Sequence, residues 1–214
     1  DDYHAMSQMV RHVICEHGVR KLAYIDGPKE YSDAAKRAQA YRDVLEEEGI
    51  PFDSHWFFRG DYSVEAGIYV VSELDRMHRI PEAIICANDC MAAGAIMELQ
   101  NRGYRVPEDI IVTGFDNVPV AKDNSPKITT VDCARKTMGY RACEYLMTKT
   151  AKEIQELCVQ IPTTQIYSES CGCESEGRDD GRELKRRLIR QTVKTKDYQK
   201  RMNEVFNSFM KSKK

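Results

Sequence analysis

The sequence predicts an α/β domain: a parallel β-sheet flanked by helices, followed by a further C-terminal helix. Two observations carry this. Short apolar runs bounded by turn residues, "KLAYID", "EAIICAN" and "DIIVTGF", alternate with longer segments of helical periodicity, the pattern of βαβ units. The runs are apolar throughout instead of alternating with polar residues, as expected of strands covered by helices on both faces. The chain has 214 residues, 42% of them hydrophobic, enough for one domain or for one subdomain with an appendage.

Residues 3–17 carry Ala5, Met6, Met9, Val10, Val13 and Ile14 at helical spacing, and Gly18 follows as a terminator. "RKLAYID", residues 20–26, reads as a buried strand; a loop with Gly27 and Pro28 leads to a helix over 33–48 that stops at Gly49. "FDSHWFF" is strand-like, and "SVEAGIYVVSELDRM" is an amphipathic helix. "EAIICAN" is the next strand, with a helix over about 89–102 that ends at Gly103. Residues 110–115 then form an apolar strand that delivers Asp116 to its tip. Beyond Pro126 come an extended "KITTVD", a helical "ARKTMGYRACEYLMTKT", and two strand-like pieces broken by Pro162.

Segment 182–214 lacks Gly and Pro, and its Leu184, Leu188, Gln191, Thr195, Tyr198, Met202, Val205 and Phe209 recur in steps of four and three. This is the a/d seam of a coiled coil, and the same pattern fits one amphipathic helix lying on its own domain, or a frayed basic tail.

Composition narrows the function. Lys and Arg number 32 against 34 Asp and Glu, a net charge of -2, which argues against nonspecific nucleic-acid binding. No apolar run reaches the roughly 20 residues that span a bilayer, and "DDYHAMSQMV" has no secretory-signal character. The eight cysteines are scattered, mostly within apolar patterns, which suggests a reducing, cytoplasmic setting. Cys171 and Cys173 sit apart in a polar turn. A CxC pair supplies only half the ligands of a zinc site, and no metal or cofactor is expected. His12 and His17 read as surface or packing residues. No GxSxG, HExxH, P-loop or GxGxxG stretch is present, so a binder is expected rather than an enzyme.

Four stretches in fixed order carry a resemblance: "AKRAQAYRDVLEEEGI", "IPEAIICANDCMAAGAIMELQNRGYRVPEDIIVTGFDN", "SPKITTVDCARKTMGYRACEYL" and "VQIPTTQIYSESC". Together they resemble the effector-binding domain of the lactose-repressor (LacI/GalR) family, built on the type I periplasmic-binding-protein fold, over residues 1–173. The resemblance implies a two-lobed domain with a small ligand, often a sugar or nucleobase, in the cleft. Aligned so, residues 1–173 hold mostly the C-terminal lobe, and the DNA-reading module and most of the N-terminal lobe lie outside the chain. Residues 174–214 would form a charged linker and helical extension, where ordinary repressors of the family end near Cys173.

Carried over position by position, the resemblance makes Asp116 an acceptor for ligand hydroxyls, Arg37 a donor to them, Tyr62 an aromatic ring against the ligand and Asn88 a donor and acceptor into the cleft. Asp89 reads as a helix N-cap. Tyr31, Ser32 and Asp33 lie in a loop that varies with ligand identity. The expected protein is a cytoplasmic, homodimeric sensor of a sugar-like effector that touches DNA only through a module outside the chain. A transport-type sugar-binding protein, or a sensor fused to a cyclase or kinase, are the alternatives.

Overall fold

Three apolar strands lie side by side because each has two faces to bury. In the computed structural model, which describes residues 1–149, 153 and 158–173, β1 (Leu22–Asp26), β3 (Ala83–Cys86) and β4 (Ile111–Thr113) are buried at every residue. With β2 (Phe57–Arg59) they form a parallel sheet in the order β2-β1-β3-β4. Register pairs Tyr24 with Phe57 and Ile85, and Ile85 with Thr113. The α/β class with a parallel sheet flanked by helices is therefore observed.

The helices are α1 (Asp2–Arg11), α2 (Ser32–Glu47), α3 (Val64–Arg76), α4 (Asp89–Asn101), the short α5 (Pro119–Asp123) and α6 (Arg135–Thr148). Right-handed crossovers put α2 on one face of the sheet and α3 and α4 on the other. The packing agrees: α1 lies on α2, and α3 lies on α4. Met6, Met9, Ile14, Tyr41 and Val44 fill the first layer, and Val71, Leu74, Met91 and Ile96 the second, all at most 2% exposed. Each such side chain contributes about 1.5–3 kcal/mol on leaving water.

Several boundaries differ from expectation. The first helix does not run uniformly to residue 17: it passes at His12 into a π-helical turn, His12–Glu16. The strand expected over 110–115 ends at Thr113. From there the backbone changes neighbour, because Gly114 N–H donates to Thr129 O and Asp116 N–H to Val131 O, beside β5 (Thr130–Asp132). Of the two strand-like pieces around Pro162 the second forms β6 (Thr164–Ile166), antiparallel to β5, while the described residues of the first, 158–161, are in no strand. Of the eight cysteines only Cys86 and Cys171 are buried, while Cys15, Cys143 and Cys158 are exposed. Helix α6 buries none of its residues. The expected coiled-coil seam over 182–214 lies outside the described residues, among which no helix is long and apolar enough to cross a membrane.

Candidate functional site

At the carboxyl edge of the sheet the strands hand over to loops and helix starts, and the order β2-β1-β3-β4 reverses direction beside β1. Open α/β sheets bind ligands at such a switch point. Arg37 sits there, in the second turn of α2, and is only 4% exposed. A buried guanidinium persists only if its donors are met. Its Nε and Nη2 donate to Asp2 Oδ1 at 3.0 and 2.7 Å, and its Nη1 donates to the Ala87 carbonyl at 2.7 Å. Asp116 Oδ1 lies 3.4 Å and Asp33 Oδ2 3.5 Å from Nη2. The guanidinium carbon stands 3.9 Å over the Phe115 ring, a favourable cation–π geometry. Burial opposes the charge, but Asp116, Asp2 and Asp33 outweigh it and hold the guanidinium pKa above its ordinary value.

Asp116 reaches this cluster through an unusual backbone, with φ of 100° at Asp116 and 52° at Asn117. Left-handed backbone at two non-glycine residues in a row is costly, and such strain gathers where side chains must be aimed. Asp116 N–H is anchored on Val131 O, and Cys133 Sγ lies 3.6 Å from Asp116 Oδ1. Burial and the Asp116 carboxylate push the Cys133 thiol up to about 12.

Tyr62 is a third left-handed residue, φ 69°, and its hydroxyl lies 3.3 Å from Asp33 Oδ2. Its ring passes over Gly27, where a Cβ would overlap the phenol, so only glycine admits this ring. Tyr31 stands 6.0 Å from it, centroid to centroid, and is exposed. Burial first, then Asp33, raises the Tyr62 hydroxyl above its ordinary range.

The capping assignment is reversed. Asn88, not Asp89, is the N-cap of α4: its Oδ1 accepts from Met91 N–H at 2.9 Å. Its Nδ2 donates to Tyr62 O at 3.0 Å, so both ends of the amide are engaged in holding α4 and the Tyr62 turn. Asp89 points inward instead, fully buried, accepting from Thr130 Oγ1 at 2.5 Å and from Val118 N–H at 2.8 Å. Burial pushes its carboxyl up to about 7. The sequence could not separate the two because Asn and Asp cap helices about equally well.

The structure thus brings Arg37, Asp116 and Tyr62 around one edge and adds Asp2, Phe115 and Cys133, which sequence reasoning missed. Asp2 carries no local signal: it contacts Arg37 across 35 residues. Together these groups present two partly exposed carboxylates, a guanidinium and a phenol ring. They can accept and donate hydrogen bonds to a polyol or polar ring while an aromatic face covers its apolar side. Away from this edge, His12, His17, Cys171 and Cys173 bring their ligand atoms within 4.8 Å of one another, a grouping that sequence spacing did not reveal.

The comparisons with known proteins agree with this architecture. The model of the family described as "Periplasmic binding protein-like domain" matches residues 10–171. The HTH-type transcriptional repressor PurR of Mannheimia succiniciproducens is 32% identical over 161 residues, 75% of this chain and 48% of that protein. A structure assigned as a LacI transcriptional regulator from Bacillus cereus subsp. cytotoxis superposes with a TM-score of 0.74 at 27% identity, over 82% of this chain and 62% of that one. A complex of the transcriptional regulator CelR with cellobiose gives a TM-score of 0.69 at 28% identity, over 79% of this chain and 52% of that one. The chain spans about half the length of the curated relatives it matches. It belongs to the periplasmic binding protein-like domain family, in the form that LacI/GalR regulators use to bind their effectors.

Proposed function

We propose that this chain is the greater part of a small-molecule sensor in a cytoplasmic LacI-type regulator, with a sugar-like effector bound at the carboxyl edge of its sheet. The observation that carries this is Arg37, buried yet facing Asp116 and Asp33 at the switch point and resting on Phe115. A polyol suits it, since hydroxyls can accept from the guanidinium and donate to the carboxylates at once. The cellobiose complex of the related CelR supports a sugar. The second wall of the cleft would come from a lobe outside this chain, and a homodimer with DNA-reading modules would be the output. The effector acts by population shift, stabilising a closed cleft only by the extra contacts made there, and no chemistry is performed on it.

The test is calorimetry on the full-length protein against a panel of mono- and disaccharides including cellobiose, with free nucleobases as the competing class. Asp116→Ala should weaken binding of whichever sugar registers by about tenfold or more, the loss of one charge-assisted hydrogen bond, with an unchanged circular dichroism spectrum. Unchanged affinity removes Asp116 from the site; binding of nucleobases alone replaces the sugar by a planar heterocycle.

A further inference from the structure

We propose that His12, His17, Cys171 and Cys173 form a closed four-ligand site for one Zn²⁺ ion, which pins the end of the first helix to the C-terminal turn of the domain.

Geometry is the first argument. His12 Nε2 and His17 Nε2 lie 3.1 Å apart. Cys171 Sγ lies 3.7 Å and Cys173 Sγ 3.5 Å from His12 Nε2, and Cys173 Sγ lies 3.6 Å from His17 Nε2. A tetrahedron with Zn–S of about 2.3 Å and Zn–N of about 2.05 Å has edges of about 3.4 Å between nitrogens and about 3.6 Å between nitrogen and sulfur. These four separations fall within about 0.3 Å of those edges, the tolerance that bond lengths of this kind allow once summed over two ligands, and all four ligand atoms lie within 4.8 Å of one another.

Local structure supplies the second argument, because each pair is aimed by a backbone feature that is otherwise unexplained. His12 and His17 are five residues apart. In a regular α-helix that separation turns the side chains roughly 140° from each other. Residues 12–16 are instead a π-helical turn, a rare form with i→i+5 hydrogen bonding that brings such positions together and that is frequent at functional sites. On the other side Gly172, with φ 83°, gives the CxC turn a left-handed centre, so that Cys171 and Cys173 both face the imidazoles. The Tyr167 ring stacks on His12 at 3.8 Å between centroids and 20° between planes, which fixes the plane of that imidazole.

The donor set fits zinc by type. Two thiolates and two neutral imidazoles are a tetrahedral Zn²⁺ set, and the two thiolate charges balance the ion. Cys171 is 1% exposed and the other three are half-buried. Neutral imidazole and thiolate are the forms of these side chains that bind the ion. The balance is Zn²⁺ plus two thiols giving the zinc bis-thiolate and two protons. With all four positions supplied by the protein, no place remains for water or substrate, and the role is structural. The ligands come from segments about 160 residues apart, 159 for His12 and Cys171, so the ion closes a loop that encloses the sheet and holds the residue from which the chain runs on to position 174.

The experiment uses the full 214-residue chain, purified under reducing conditions without chelator. Elemental analysis should find one zinc per chain. After chelation, Co²⁺ added to the metal-free chain should give the visible bands of a tetrahedral cobalt thiolate site, saturating at one equivalent. His17→Asn and Cys173→Ser should each abolish those bands, while Cys143→Ser and Cys158→Ser, which alter exposed thiols elsewhere, should keep them. Absence of both stoichiometric zinc and the cobalt spectrum in the wild-type chain would overturn the site, as would bands that survive Cys173→Ser. A Cys171–Cys173 disulfide found in the reduced preparation would overturn it as well. The wild-type spectrum decides the matter even if a variant misfolds, and none of these readouts depends on the effector cleft.

Discussion

Arg37 is the residue on which the cleft edge turns. It neutralises carboxylates from three parts of the chain, Asp2, Asp33 and Asp116, and it satisfies the Ala87 carbonyl at the end of β3. Arg37→Met would keep much of the volume but leave that carbonyl unpaired and three like charges facing each other. Breaking a fully buried pair costs about 3–5 kcal/mol, and the carboxylates here keep 27–38% of their side-chain surface exposed. The expected loss is therefore at the lower end, about 3 kcal/mol, read from urea unfolding. Adding Asp116→Asn should recover part of that loss, because one of the stranded charges is then gone; strict additivity would show that the two side chains do not interact. Of this cluster, Arg37 and Asp116 were legible from motif position, and Asp33 weakly so. Asp2 was not, since nothing local distinguishes one surface-like carboxylate in "DDYHAM" from another.

Among the elements, α3 and α4 show how closely backbones can approach when both helices provide glycine. A Cβ on Gly67 would run into the Met91 carbonyl, and one on Gly94 into the Val64 carbonyl. Gly94→Ala should then push the helices apart and cost about 1–3 kcal/mol, the scale of an overpacked core. Gly139 in α6 has nothing within 4 Å of its would-be Cβ. There the same substitution should stabilise by about 0.5–1 kcal/mol, through helix propensity alone. Equal thermal shifts for the two variants would contradict this account of the α3–α4 contact. The helices themselves were readable from periodicity. The π-helical turn at His12–Glu16 was not, because apolar spacing over five residues does not separate a π turn from the last turn of an α-helix.

For the whole molecule, buried titratable groups predict how stability follows pH. Asp89 rises from 3.8 to about 7 through burial. A folded pKa above the unfolded one means that the folded state holds the proton more tightly. The contribution is full below about pH 4 and is lost as pH rises to about 7. Asp26, raised by burial, acts in the same direction. Comparing wild type with Asp89→Asn cancels the groups they share. The stability difference between them should decline between about pH 4 and about pH 7 by up to about 1.4 kcal/mol per unit. A pH-independent difference, from urea unfolding at several pH values, would remove the Asp89 shift.

The sequence by itself determined the alternation of strands and helices, the burial of β1, β3 and β4 on both faces, and the family, because these rest on local periodicity and on contiguous motifs. Only the tertiary structure decided that Asn88 caps α4 while Asp89 turns inward, that Asp2 closes on Arg37, and that two histidines near the start meet two cysteines at the end of the described domain. Each of those pairs residues far apart along the chain or separates two side chains of like capping ability. A linear pattern carries no information on distance between remote segments; packing of the sheet and its helices supplies it.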